Sequence, residues 1–118
     1  MSVRTGFIGV GAMGSPMALN ILKAGIPLVV HDLDENKTIE HKKAGAEVLY
    51  SPMEVANASD RTICLVETTR QVEEVICGER GIIHGAKPGH IVICMSTIDP
   101  TVAKRIASDL LLQEILML

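Results

Sequence analysis

The chain reads as a doubly wound α/β domain: one parallel sheet with helices on both faces, three layers in all. Three observations predict it. Short apolar runs alternate with longer segments of helical spacing from one end to the other. Hydrophobic residues make up 47% of the 118 positions with one Phe, one Tyr and no Trp, so the core is aliphatic and suits strands buried on both faces. The first apolar run also leads straight into a glycine-rich turn and a helical stretch.

The elements follow in order. Gly6 to Val10 is the first strand. A helix beginning near Met13 places Met13, Met17, Ile21 and Leu22 on one face, and Gly25-Ile26-Pro27 ends it. Pro16 is compatible with that start, because first-turn amides have no acceptor within the helix. Leu28 to His31 is the second strand, and Asp34 caps a second helix whose Glu35, Lys37, Glu40, His41, Lys42 and Lys43 form a solvated surface. Glu47 to Leu49 is the third strand. Ser51-Pro52-Met53-Glu54 is a capping box opening a short helix to Ala58. Arg61 to Val66 is the fourth strand, followed by a helix over Thr69 to Cys77 that turns Val72, Val75 and Ile76 inward and is closed by Gly78. His90 to Met95 is the fifth strand. Asp99-Pro100 opens the last helix with Val102, Ile106 and Leu110 inward, and Glu114 to Leu118 reads as a sixth strand cut in mid-element.

Composition narrows the function classes. A net charge of -3 gives no electrostatic reason to expect nucleic acid or an anionic membrane surface as a partner. Thr5 to Leu22 carries no charge, but Gly6, Gly9, Gly11, Gly14 and Pro16 break its first half as a helix, so no membrane span is expected. Met1 to Arg4 runs into the apolar segment without a cleavage pattern, and no secretory signal is expected. Cys64, Cys77 and Cys94 lack CxxC spacing and read as reduced thiols of a cytoplasmic protein. His31, His41, His84 and His90 show no metal-ligand spacing, so no metal is expected. His31 lies either beside an adenine pocket or at a solvent-facing strand end.

The chemistry sits in Gly9-Val10-Gly11-Ala12-Met13-Gly14, a GxGxxG turn between strand and helix. Gly9 permits the tight turn, Gly11 removes a side chain where a diphosphate approaches the backbone, and Gly14 lets helix and strand pack closely. The helix N-terminus supplies free amides and partial positive charge. Asp32 follows roughly 20 residues on, at the end of the second strand, placed to accept from ribose hydroxyls and to repel a 2′-phosphate. Leu33 stands next to it, with no arginine there to hold such a phosphate. The reading is a Rossmann-type domain of strand order 3-2-1-4-5-6 that binds NAD rather than NADP.

Two stretches, Gly6-Phe7-Ile8-Gly9-Val10-Gly11-Ala12-Met13-Gly14-Ser15-Pro16-Met17-Ala18-Leu19-Asn20 and Ser96-Thr97-Ile98-Asp99-Pro100, resemble the β-hydroxyacid dehydrogenase family, which includes 3-hydroxyisobutyrate dehydrogenase-like enzymes and has 6-phosphogluconate dehydrogenase as a relative. Gly78-Glu79-Arg80-Gly81-Ile82 also matches the family's turn before the fifth strand. The resemblance implies an oxidoreductase exchanging hydride between NAD and a small 2- or 3-hydroxy acid, with residues 1–118 as its NAD-binding domain.

It further implies cofactor contacts at Gly9, Val10, Gly11, Ala12, Met13, Gly14, Asp32, Leu33, Val66, Glu67, Gln71 and Thr97. Val66-Glu67 departs from the family's usual Leu-Pro at the fourth-strand exit, and Cys94 stands where relatives often have Asp; no catalytic role is assigned to it. The substrate-binding Ser-Gly-Gly segment and the general acid/base lysine of the family fall after Leu118, in a helical domain, so the chain reads as truncated before its catalytic part. Neither Lys87 nor Lys104 is nominated in that lysine's place. Leu110, Leu111, Leu112, Ile115, Leu116, Met117 and Leu118 then form an apolar end expected to drive homo-oligomerisation. The alternative reading is a non-catalytic dinucleotide-binding or interaction module of the same fold.

Overall fold

Alternation along the central strands sets the layers. In the computed structural model, which describes residues 3–118, β1 (Thr5–Ile8) sends Phe7 to one face of the sheet and Ile8 to the other. The neighbouring strand β2 (Leu28–His31) splits in the same way, Leu28 and Val30 joining Phe7 while Val29 joins Ile8. Both strands are buried throughout, as expected of parallel strands covered on two sides.

The other strands are β3 (Glu47–Val48), β4 (Arg61–Cys64), β5 (Ile91–Cys94) and β6 (Leu116–Met117). All pairings are parallel, in the order β3-β2-β1-β4-β5-β6 that the sequence predicts. β2 matches its expected run, and every other strand is shorter than expected. Val10, Leu65, Val66 and Met95 leave the ladder because the chain turns away there to build loops, even where their side chains stay in the core.

The helices are α1 (Gly14–Lys23), α2 (Ile39–Lys43), α3 (Pro52–Asn57), α4 (Thr69–Cys77) and α5 (Pro100–Leu111). Ala18 of α1, with Met17, Ile21 and Leu22, packs on the Phe7 face; Val55 of α3, Val72 and Ile76 of α4, and Ile106 and Leu110 of α5 pack on the Ile8 face. Burying each such Val, Leu or Ile contributes about 1.5–3 kcal/mol before entropy is counted. α1 stops as expected at a left-handed glycine, Gly25 with φ +81°, whose amide donates to the Leu22 carbonyl.

Several expectations need correction. Met13 is 73% exposed instead of sharing the inward face with Met17, because it is the N-cap residue, one position before the helix begins. The second helix is broken: Asp34 caps a 3-10 turn over Glu35–Thr38, accepting from the Asn36 amide at 3.1 Å, and only then does α2 begin. His41 is not on the solvated surface but 1% exposed, its ring Nε2 3.1 Å from Ser15 Oγ on α1. The Ser51 cap holds, yet Glu54 reaches one residue further back than a reciprocal box requires and accepts from the Tyr50 amide. Leu110 and Ile115 are fully buried in the domain's own core and Met117 packs against it, which leaves Leu111, Leu112, Leu116 and Leu118 as the exposed apolar end. No helix is long and apolar enough to cross a membrane among the described residues.

Candidate functional site

The register brings four strands to a common level. Ile8 pairs with His31 and with Cys64, and Cys64 pairs with Cys94. Everything that follows those residues therefore emerges at one edge of the sheet, the carboxyl edge on either side of β1, where the strand order reverses.

The glycine turn occupies the centre of that edge, and its three glycines are held there for different reasons. Gly9 has φ +97°, and a Cβ on it would lie 2.1 Å from the Leu65 carbonyl oxygen. At Gly14 a Cβ would lie 2.1 Å from the Gly9 carbonyl oxygen and 3.1 Å from Phe7 Cε1. The fold itself demands both. A Cβ at Gly11 would meet no protein atom within 4 Å, so no contact inside the chain requires a glycine there. The turn passes into α1 with the Ser15 amide donating to the Gly11 carbonyl at 2.9 Å. The amides of Ala12, Met13 and Gly14 have no hydrogen-bond acceptor among the described residues, and they stand at the positive end of the helix.

Asp32 follows β2 and is fixed by two backbone donors. Its Oδ2 accepts from the Val10 amide at 3.0 Å and its Oδ1 from the Asp34 amide at 2.9 Å. These bonds orient the carboxylate, and each oxygen keeps a lone pair for another donor. Leu33, 90% exposed, stands beside it. A cleft of about 140 Å³ lies next to them, lined by His31, Asp32, Leu33, Thr38, Leu49 and Tyr50. His31 is thus a buried wall of this cleft and not a solvent-facing strand end, its Nδ1 3.1 Å from the Leu49 carbonyl.

On the other side of β1, the Val66 amide donates to Ser96 Oγ at 2.8 Å, tying the exit of β4 to that of β5. Gln71 is engaged locally: its Oε1 accepts from the Glu67 and Thr68 amides while its own amide donates to Thr68 Oγ1, a complete capping box for α4. Its carboxamide nitrogen is what remains for a ligand. Glu67 and Thr97 are exposed at the same edge. Sequence reasoning missed Ser96 and Thr68. The Thr68-Thr69-Arg70-Gln71 spacing was a readable cap signal, whereas the Ser96 bond spans two loops and has no local signature.

Cys64 and Cys94 lie side by side at the ends of β4 and β5, and all three cysteines are free thiols. Burial first, and the neighbouring Cys94 second, push the Cys64 thiol up to about 12. Burial likewise raises Cys77 above the ordinary thiol range. Thiolate chemistry is disfavoured at both. Lys87 and Lys104 are exposed. No cluster of His, Cys, Asp or Glu able to hold a metal occurs among the described residues.

A glycine opened toward the outside, free amides at a helix start and an acid at the end of the adjoining strand, all at a topological switch point, define the class: a dinucleotide-binding domain of the Rossmann type. The family model described as the NAD binding domain of 6-phosphogluconate dehydrogenase matches residues 4–118, and the chain belongs to that family of NAD(P)-binding domains. It is 43% identical over 104 residues to the mouse mitochondrial 3-hydroxyisobutyrate dehydrogenase, covering 88% of this chain and 31% of that protein. To the 2-(hydroxymethyl)glutarate dehydrogenase of Eubacterium barkeri it is 35% identical over 106 residues, covering 90% of this chain and 35% of that protein. Among solved structures, the 3-hydroxyisobutyrate dehydrogenase of Salmonella typhimurium superposes with a TM-score of 0.90 at 31% identity, over 98% of this chain and 40% of that one. The chain thus spans about a third of the length of these dehydrogenases.

Proposed function

We propose that the chain binds NAD along the carboxyl edge of its sheet and serves as the cofactor domain of an oxidoreductase acting on a small 2- or 3-hydroxy acid. One observation carries the reading: of the three turn glycines, Gly11 alone answers to nothing inside the protein. The cradle fits a diphosphate, which would meet the amides of Ala12, Met13 and Gly14 where a side chain at residue 11 would otherwise stand.

Each side chain then has a task. Asp32, oriented by the Val10 and Asp34 amides, accepts from the adenosine ribose hydroxyls. Leu33 and the cleft beside it offer an apolar wall to the adenine. Val66 and Glu67 on one loop, Gln71 at the start of α4 and Thr97 after β5 border the far half of the edge. The bound dinucleotide supplies the hydride chemistry itself. NAD is favoured over NADP in this reading because the Asp32 carboxylate would repel a 2′-phosphate and Leu33, not an arginine, stands next to it.

In the longer dehydrogenases this chain resembles, a comparable domain occupies about a third of the polypeptide. We place the substrate site and its acid/base lysine in a helical domain adjoining residues 1–118. The three free thiols fit a reducing compartment, and we assign the cytosol, although the mouse relative is named as mitochondrial. The exposed Leu111, Leu112, Leu116 and Leu118 support homo-oligomer formation; sedimentation that stays monomeric at high concentration would contradict it.

Titration of wild type and Asp32→Ala with NAD and NADP tests the cofactor reading. The expected result is at least about tenfold tighter NAD binding by the wild type, and loss of that preference in the variant. Equal or tighter NADP binding by the wild type would remove the role given to Asp32.

A further inference from the structure

His41 is the one buried side chain in the described structure with a polar atom lacking any partner, its ring Nδ1. The other ring nitrogen, Nε2, lies 3.1 Å from Ser15 Oγ. Ser15 is the second residue of α1, one position after the last turn glycine and next to the three free amides described above. No other side chain reaches from α2 to the nucleotide turn through a hydrogen bond among the described residues.

The tautomer follows from the surroundings. A neutral imidazole carries one N–H and one bare nitrogen, and orphaned N–H donors are rarer in buried sites than under-used acceptors. A ring with its proton on Nε2 donates to Ser15 Oγ and leaves a lone pair, not an N–H, on the unpartnered Nδ1. With its oxygen accepting from the ring, the Ser15 hydroxyl has its own proton free to donate. Its backbone amide is already committed to the Gly11 carbonyl at 2.9 Å, so the hydroxyl is the donor this residue has left to offer.

We propose that Ser15 is a diphosphate-binding residue, adding a side-chain donor to the amide cradle, and that His41 is the positioning residue that sets its hydroxyl. This rests on the reading of the edge as a dinucleotide site. It also gives a reason for a polar ring at a position that aliphatic packing would otherwise fill at lower desolvation cost. The charge complementarity is direct: a neutral donor facing an anionic oxygen makes a charge-assisted bond, stronger than one between neutral groups.

The test compares Ser15→Ala, His41→Gln and His41→Leu in binding NAD, ADP-ribose and adenosine, with thermal melting as a check on folding. For Ser15→Ala, affinity for NAD and ADP-ribose should fall about tenfold while adenosine binding stays within about twofold, since adenosine lacks the diphosphate. His41→Leu should weaken the same two ligands by a few-fold and add little to Ser15→Ala in the double variant. His41→Gln, whose amide can still donate to Ser15, should recover most of the affinity. A Ser15→Ala chain that binds all three ligands as the wild type does would overturn the proposal alone. A His41→Leu chain that melts lower but binds NAD unchanged would overturn the positioning role, and should that variant fail to fold, a His41→Gln chain no better than Ser15→Ala would do so instead. A wild type that binds neither NAD nor ADP-ribose would overturn the dinucleotide reading and this inference with it.

Discussion

The two edges of the sheet treat their polar groups in opposite ways. At the amino edge they pair with one another: Arg61 Nε donates to Thr5 Oγ1, Thr62 Oγ1 lies 2.8 Å from His90 Nε2, and the Arg4 amide donates to Asp60 while its guanidinium meets Glu47. At the carboxyl edge, three successive amides of the glycine turn have no acceptor among the described residues, and Met13, Leu33, Tyr50 and Met95 are exposed apolar side chains. Buried or strand-end polar groups are normally satisfied within the protein. The contrast teaches that the amino edge commits its polar groups to internal pairing while the carboxyl edge keeps donors and apolar surface uncommitted, as the proposed dinucleotide site requires.

Substitutions can break that contrast in either direction. The largest effect is expected at Gly9, where alanine would face a positive φ and a carbonyl oxygen 2.1 Å from its Cβ. Gly9→Ala should lower the unfolding free energy by about 3 kcal/mol or more, read from denaturant melts. Gly11→Val should do the reverse. It should fold within about 0.5 kcal/mol of the wild type yet bind NAD roughly 100-fold more weakly, because its side chain projects only into the ligand's path. A strongly destabilised Gly11→Val would show that the fold needs this glycine too. Breaking the α4 cap with Thr68→Ala should cost about 1 kcal/mol in stability.

The smallest effect concerns pH at the amino edge. Burial lowers the His90 pKa below its ordinary 6.5, outweighing the opposing influences of Ser59 and Asp60. The unfolded chain therefore takes up a proton more readily than the folded one. This contribution to stability is fully present above about pH 6.5 and is lost as pH falls through that value toward the folded pKa. Urea melts between pH 5 and 7.5 should show that slope, and His90→Gln should flatten it. An unchanged slope in the variant would assign the dependence elsewhere.

Much of this was legible in the sequence because the relevant signals are local. The GxGxxG turn, the Asp32 position, the Gly25 stop and the span of α4 all follow from neighbouring residues, and the sheet order follows from alternating strands and helices. What was not legible depends on contacts across the fold. His41 reads as one more polar residue in a charged helix until α1 is packed beside α2. Ile115 reads as part of a bare apolar end until the core closes over it. Strand ends were overrun for a related reason: Val10, Leu65 and Val66 are apolar because they pack, although the ladder has already ended.

The central claim is that the nucleotide meets the carboxyl edge through the turn amides. Backbone amide shifts recorded by NMR during titration with ADP-ribose test it most directly. The account predicts saturable changes at Ala12, Met13, Gly14 and Ser15, and around Asp32 and Val66, with Arg4, Arg61 and His90 unmoved. Saturable changes centred on the amino edge, or an unaltered spectrum at millimolar ligand, would contradict it.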